Sequence, residues 1–347
     1  MTPALRVLAP GLLTTVQDLG RVGYQHLGVP VSGALDAVSL RAANALVGNP
    51  PGEAALEVAC LGPTLVAEAD DVRVAIVGAQ AAIDILSDPC ASDGRPIDGM
   101  QSARLRRGET VRIGALRGGT VLYVAVEGGF DLQPVLGSVS TYIRGGIGGL
   151  QGRALMAGDR LPLRSRQAIM RDEARLNGFS LKPPARIRAI VGPQQDYFSD
   201  NEIAAFFDHD YTVGPSADRM GMRLTGRPIQ HNRGFDIASD GIAPGSIQIP
   251  GNGQPIVLLA DRQTTGGYPK IATVISADMA ALSRFPIGSK VAFEAVTVAV
   301  AEAARRRHFK ELAAINDMIV PLGGAAADFA ADLNACNLIS GVVDAAA

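Results

Sequence analysis

Apolar residues in this chain come in short bursts rather than long stripes. The runs Val72–Val77, Thr120–Val126, Arg186–Val191 and Pro255–Ala260 are rich in Val, Ile and Leu. Runs of this length, bounded by turn residues, predict β-strands. They do not alternate regularly with helical segments of about 10–15 residues, which argues against a doubly wound parallel sheet. Ser32 is placed to cap a helix over about Ala34–Val47, with Leu35, Val38, Ala42 and Leu46 as its inward stripe. Gly48, Asn49 and the Pro50–Pro51 pair then end it. Further helices are predicted over Asn201–Phe207, from Ser276 through Asp278 to Ser283, and over about Val300–Asn316. The resulting class is mainly β (α+β), with two β-rich subdomains and a few short helices.

The weakest pattern lies between Leu163 and Pro184, where charged residues precede Lys182-Pro183-Pro184. It sets the expected organisation: an N-terminal β-rich subdomain over 1–168, a linker over 169–185, a C-terminal β-rich subdomain over 186–300 and a helical tail over 301–347. The closing Asn337–Asp344 run carries Leu338, Ile339, Val342 and Val343 close together, so docking on a body or a partner is expected of it. An echo between Val29–Asp36 and Val213–Asp218 would follow from two related half-domains, or from chance.

Composition narrows the function. The 347 residues carry 32 basic and 34 acidic side chains, a balance that points away from nucleic acid. Only 19% of residues are charged against 47% hydrophobic, so part of the surface is expected to meet a partner protein. No charged-then-apolar leader and no membrane-length apolar run occurs, and Cys60, Cys90 and Cys336 stand far apart without CxxC spacing. A cytoplasmic protein without a zinc site, membrane span or redox pair is the expectation. His26, His209, His231 and His308 show no metal-ligand spacing.

Chemistry concentrates in three segments. Gly241–Pro255 is followed, after one strand, by Asp261-Arg262-Gln263-Thr264-Thr265-Gly266-Gly267-Tyr268-Pro269-Lys270. Gly266 and Gly267 permit close backbone approach to a ligand; Lys270 offers a compact cation, Asp261 a carboxylate, Tyr268 a hydroxyl, and Gln248, Gln254 and Gln263 amides. That mixture suits a small polar substrate with an amide or carboxylate; a turn-rich hairpin shaped by its glycines would read the same way. Gly11–Asp36 gathers Gln17, Asp18, Arg21, His26 and Ser32 in one glycine-spaced loop, either to hold an anion before the helix or simply to cap it beside an Asp18–Arg21 pair. In Ser216–Leu224, Arg219 could fork onto a carboxylate or pair with Asp218. Gly145–Leu150 fails the GxGxxG spacing, and no GxxxxGK[ST] occurs, so neither segment reads as a phosphate loop.

Gly11–Asp36, Asp218–Leu224 and Gly241–Lys270 together resemble, nearly residue for residue, the biotin-dependent carboxyltransferase family, also called allophanate hydrolase subunit 2 and related to urea amidolyase. It includes the C subunit of 5-oxoprolinase and half of the urea carboxylase carboxyltransferase. The resemblance spans about residues 5 to 300. It implies a cyclophilin-like β-barrel core and a B subunit as partner, with an A subunit as a further one. The implied activity is ATP-dependent opening of the 5-oxoproline lactam to glutamate. Alternatives are carboxyl transfer from carboxybiotin to urea, and a non-catalytic role as antagonist of a kinase inhibitor. The chain has no Ala-Met-Lys-Met biotin acceptor and no ATP-grasp region, so biotin, if used, arrives on another protein, and ATP is expected at or with the partner. Under this resemblance Lys270, Asp261 and Tyr268 are the expected catalytic residues, Asp261 orienting Lys270 or accepting a substrate N–H. Gln263 and Gln254 are expected on the amide edge, Arg219 on a substrate carboxylate, and Gln248, Gln17, Asp18, His26 and Ser32 around the substrate. Gly266 and Gly267 would shape the loop; no metal is expected.

Overall fold

The computed structural model describes residues 2–91 and 93–322. The Asn337–Asp344 run and Cys336 lie outside them.

The first body is built from two antiparallel sheets. One orders its strands Arg160–Pro162, Ala4–Ala9, Thr64–Ala67, Thr110–Ile113, Ile83–Leu86, Gly94–Pro96. The other runs Leu13–Gln17, Ala55–Ala59, Arg117–Val126, Asp71–Gln80, Gln101–Arg106, Ala174–Leu176, Ile319–Pro321. The two central strands of the second sheet are continuously apolar over Val74–Val77 and Val121–Val126 because both faces are covered. Val72, Val74 and Ile76, with Leu122, Val124 and Val126, point into the core between the sheets. Ala75 and Val77, with Val121, Tyr123 and Ala125, face a helix, α1 (Ala37–Leu46). Gly78, at φ +138°, sits where an added Cβ would lie 2.6 Å from the Leu122 Cα; only glycine lets the strands close at that shift of register.

α1 differs from expectation at its start. Its cap is Asp36, whose Oδ1 accepts from Val38 and Ser39 N–H at 3.1 Å, not Ser32. Ser32 lies four residues upstream at φ +57°, in a loop that has not yet begun to coil. With the start moved, Leu35 precedes the helix, and the buried apolar positions are Leu40, Ala42, Ala43 and Leu46.

The second body holds an eight-stranded sheet: Lys290–Val291, Tyr211–Ala217, Gly221–Thr225, Ile256–Leu258, Ser246–Gln248, Lys270–Val274, Ile187–Val191, Phe293–Ala295. The strands at its two ends are consecutive in sequence, so the sheet curls into a nearly closed barrel. Helices α2 (Asp200–Asp208) and α3 (Met279–Ser283) pack Phe206, Phe207 and Leu282 on its core. A short ladder pairs Asp240–Gly241 with Thr265–Gly266. The echoing segments Val29–Asp36 and Val213–Asp218 adopt different structures, a loop and mostly strand, so they are not a structural repeat.

The expected linker is not free chain, since Ala174–Leu176 pairs with Ile319–Pro321 and touches Gln101. That pairing also changes the expected helical tail. Helix α4 (Val298–Ala313) lies against strand Ile187–Val191, a 3-10 turn buries Ile315 beneath α1, and the chain returns as an edge strand of the first body. Spacing in the sequence cannot show such a return, because the pairing is long-range.

Candidate functional site

The two bodies meet on a chain of buried polar groups. Glu57, on strand Ala55–Ala59, is 3% exposed although it carries a charge. Its Oε2 accepts from Tyr123 Oη at 2.5 Å and from Leu35 N–H at 2.8 Å, and its Oε1 accepts from Arg219 Nη1 of the second body. Arg219 also forks onto Asp261, Nε to Oδ2 at 2.8 Å and Nη2 to Oδ1 at 3.0 Å, and donates to Gly33 O at 2.7 Å. Asp261 accepts in addition from Ser32 Oγ. On the other side of Tyr123, its hydroxyl accepts from Asp36 N–H at 2.9 Å, and Asp36 is gripped by Arg284 at 2.6 and 2.9 Å.

Electrostatics follow from that packing. Burial alone would lower the Arg219 pKa, but Glu57 and Asp261 raise it above the ordinary arginine value, so the cation is fixed. Burial, reinforced by Glu57 and Asp36, pushes Tyr123 well above the usual phenol range, so it stays a donor. Against this junction lies a cavity of about 480 Å³ between the bodies. Its walls are mostly apolar (Leu13, Leu35, Val121, Met222, Leu259, Phe285), with Glu57 and Arg219 among its polar groups. A mostly apolar cavity with few convergent polar groups is the usual form of a small-molecule site.

A second cluster sits on the barrel wall. Gln248 faces Lys270 in the strand register, beside a bulge. Lys270 is 2% exposed, and its Nζ contacts Asp240 Oδ2 at 2.8 Å. Gln194 fastens the pair, accepting from Lys270 N–H at 3.2 Å and donating to Asp240 at 3.3 Å. The lysine holds the Asp240 carboxyl below its usual range, with the Gly241 N–H adding to the effect. Gln248 Nε2 lies 3.5 Å from Tyr268 O, and Gln263 Nε2 lies 3.4 Å from Gln248 Oε1. A Cβ on Gly266 would sit 2.6 Å from Gln248 Nε2, and Gly267 O accepts from Ile237 N–H. Tyr268 is partly exposed at the edge.

Thus Lys270, Gln248, Gln263, Tyr268, Gly266 and Gly267 come together, while the other expected residues go elsewhere. Asp261 belongs to the junction; Asp240 is the carboxylate on Lys270. Arg219 is occupied by two carboxylates and a carbonyl, and Asp218 instead caps the following turn through Met220 and Gly221 N–H. Gln254 clamps the Gly226 backbone, at 2.9 and 3.2 Å. Asp18 knits two loops together, accepting from Gly20, Val139, Ser138 and Ser140, and does not pair with Arg21. Gln17 is fully buried, bonded to Thr15 and Thr141 at 3.0 Å, and His26 is exposed on a 3-10 turn. Arg21 is buried with its Nε and Nη1 unpartnered and its Nη2 on Ser140 O. Glu57, Tyr123, Asp240 and Gln194 were not among the expected residues. Glu57 left a trace, a lone charge inside the apolar run Ala54–Ala59; Asp240 left none. Among the described residues, no group of three or more His, Cys, Asp or Glu side chains is placed to hold a metal, and no helix is long and apolar enough to cross a membrane.

Residues 27–295 match the family model of the carboxyltransferase domain, subdomain A and B. The chain is 38% identical to the 5-oxoprolinase C subunit of Escherichia coli (strain K12), over 89% of this chain and 97% of that protein. It is 36% identical to the 5-oxoprolinase C subunit of Haemophilus influenzae, over 85% and 92%. Among solved structures it superposes on the urea amidolyase of K. lactis with a TM-score of 0.81 at 27% identity, covering 92% of this chain but 21% of that one.

Proposed function

This chain belongs to the carboxyltransferase-domain family, subdomain A and B, and on that premise we propose that it is the C subunit of an ATP-dependent 5-oxoprolinase. In this reading it acts with a B subunit, and with an A subunit as a further partner, to open the lactam of 5-oxoproline and give glutamate. One observation carries it: the match runs nearly end to end through free-standing C subunits, whereas it covers about a fifth of the fused urea enzyme.

Lys270 is the proposed catalytic cation. Held on Asp240 at the barrel wall, it would stabilise negative charge developing on the lactam oxygen, with Gln263 and Gln248 on the amide edge and Tyr268 closing the site. The Glu57–Arg219–Asp261 junction would hold the two bodies in register rather than touch substrate. The Gly145–Gly149 loop offers no phosphate cradle, since a Cβ on Gly148 would lie 2.1 Å from Ser140 O. On this reading ATP is expected at or with the partner proteins.

A second reading, the carboxyltransferase component of a urea carboxylase-like enzyme, draws on the superposition with urea amidolyase. Biotin would then come on another protein and supply the carboxyl group, and the 480 Å³ cavity has room for its ring system. The test is to assay 5-oxoproline-dependent phosphate release and glutamate formation by the chain alone and reconstituted with the A and B subunits. Turnover only in the complex is expected. Equal turnover by the chain alone, or carboxybiotin-dependent urea carboxylation without glutamate formation, would overturn the reading.

A further inference from the structure

Of the four buried arginines among the described residues, two are neutralised by carboxylates. Arg73 is held by Glu127 and Glu173, and Arg219 by Glu57 and Asp261. Arg262 is the exception that opens onto a cavity. It is 1% exposed, yet its partners are both neutral: Nε donates to Ile242 O at 3.1 Å and Nη2 to Gln25 Oε1 at 3.0 Å. Gln25 Nε2 donates to the same Ile242 carbonyl at 2.8 Å, so the guanidinium plane is fixed by both bodies. Among the described residues Arg262 meets no carboxylate, and its Nη1 makes no hydrogen bond. Burial with no acidic neighbour lowers its pKa to about 10, so it is still a cation at neutral pH.

Arg262 lines a cavity of about 210 Å³ beside the start of α1, together with Ser276 and His308. Leu35 and Leu259 line both this space and the 480 Å³ cavity, so the two adjoin. A buried charge is ordinarily paired, and this one is pre-oriented, lacks a protein counter-charge and borders a space with room for a small anion. We propose that this cavity is an oxyanion subsite, with the Arg262 guanidinium as its charge and Ser276 and His308 as neutral hydrogen-bonding walls. Its ligand is a carboxylate or phosphate-sized anion. On the functional reading above, on which this last step rests, the anion is the carboxylate of 5-oxoproline, the role sequence had suggested for Arg219.

Isothermal titration of the purified chain with inorganic phosphate, acetate, 5-oxoproline and the carboxylate-free ring pyrrolidin-2-one tests it. At least one of the three oxyanions should bind, and Arg262→Gln should weaken it about tenfold or more, the size of a charge-assisted hydrogen bond. The exposed Arg306→Gln should not. Ala280→Leu, which narrows the cavity while keeping Arg262, should weaken binding too and decides the matter if Arg262→Gln does not fold. No binding by the wild-type chain, or binding untouched by the folded variants, overturns the subsite. Binding of phosphate or acetate but not 5-oxoproline upholds the subsite and removes its assignment to substrate. Binding of 5-oxoproline but not of pyrrolidin-2-one supports both.

Discussion

Removing Arg219 separates a junction residue from a substrate ligand. Arg219→Ala leaves Glu57 and Asp261, 3% and 6% exposed, facing each other without the cation that neutralised both. Breaking a buried ion pair by deleting one partner costs about 3–5 kcal/mol, and two orphaned carboxylates place this case at the upper end. For a chain this long that is a fall in Tm of about 4–7 °C. Glu57→Gln added to Arg219→Ala removes one orphaned charge while keeping an acceptor for Tyr123. The double variant should therefore be more stable than the sum of the singles predicts, by about 0.5–3 kcal/mol. Urea unfolding followed by far-UV circular dichroism suits the measurement, because the chain has no tryptophan. Arg219→Ala within about 1 kcal/mol of wild type, with a raised KM for 5-oxoproline in the complex, would refute the argument and restore a substrate role.

Three further outcomes are expected. Lys270→Ala should lower kcat of the reconstituted complex by about 10²–10³ while partner binding persists; a change within threefold would leave the lysine a structural partner of Asp240. Gly266→Ala should displace the Gln248 amide and cut activity with little loss of stability, since the blocking atoms are the ends of side chains; unaltered kinetics would count against Gln248 as a ligand. His308 has its pKa lowered by burial; Glu311 and Asp278 raise it, and Arg284 and Arg41 lower it further. The unfolded chain then binds its proton first, so stability should fall as pH drops below about 6.5, and His308→Gln should remove that part of the slope in a Tm-versus-pH series. An identical slope in the variant would show that His308 is not the titrating group.

The strands are legible because short Val, Ile and Leu runs bounded by turn residues are local signals; so are the positions of α2 and α4. The start of α1 was misplaced because Ser32 has the composition of a cap but is drawn into a left-handed turn by Asp261, 229 residues away. The same limit governs the site. Gln248, Gln263, Tyr268 and Lys270 were readable because they are close in sequence and converge through one pair of strands. Glu57 and Arg219 are 162 residues apart, Asp36 and Arg284 248, and no pattern in the chain announces either pair. Local spacing therefore offers Arg219 to a substrate, whereas in the fold Glu57 and Asp261 hold it.

Counting occupied and open donors explains why these clusters differ in kind. At the junction, Nε, Nη1 and Nη2 of Arg219 all have protein acceptors, and the Tyr123 hydroxyl both donates and accepts. Such a group has little left with which to recognise a ligand, and its value is geometric. Two Arg21 donors are open, but the packed Gly148 loop closes over its Nη2, and it lines none of the cavities described above. Lys270 uses its ammonium on one half-exposed carboxylate, which leaves two of its three donors without a protein acceptor among the described residues. Arg262 keeps Nη1 without a protein partner among the described residues and lines a cavity. On the proposed reading the cations left to meet a ligand are Lys270 and Arg262, and both come from the single segment Asp261–Lys270.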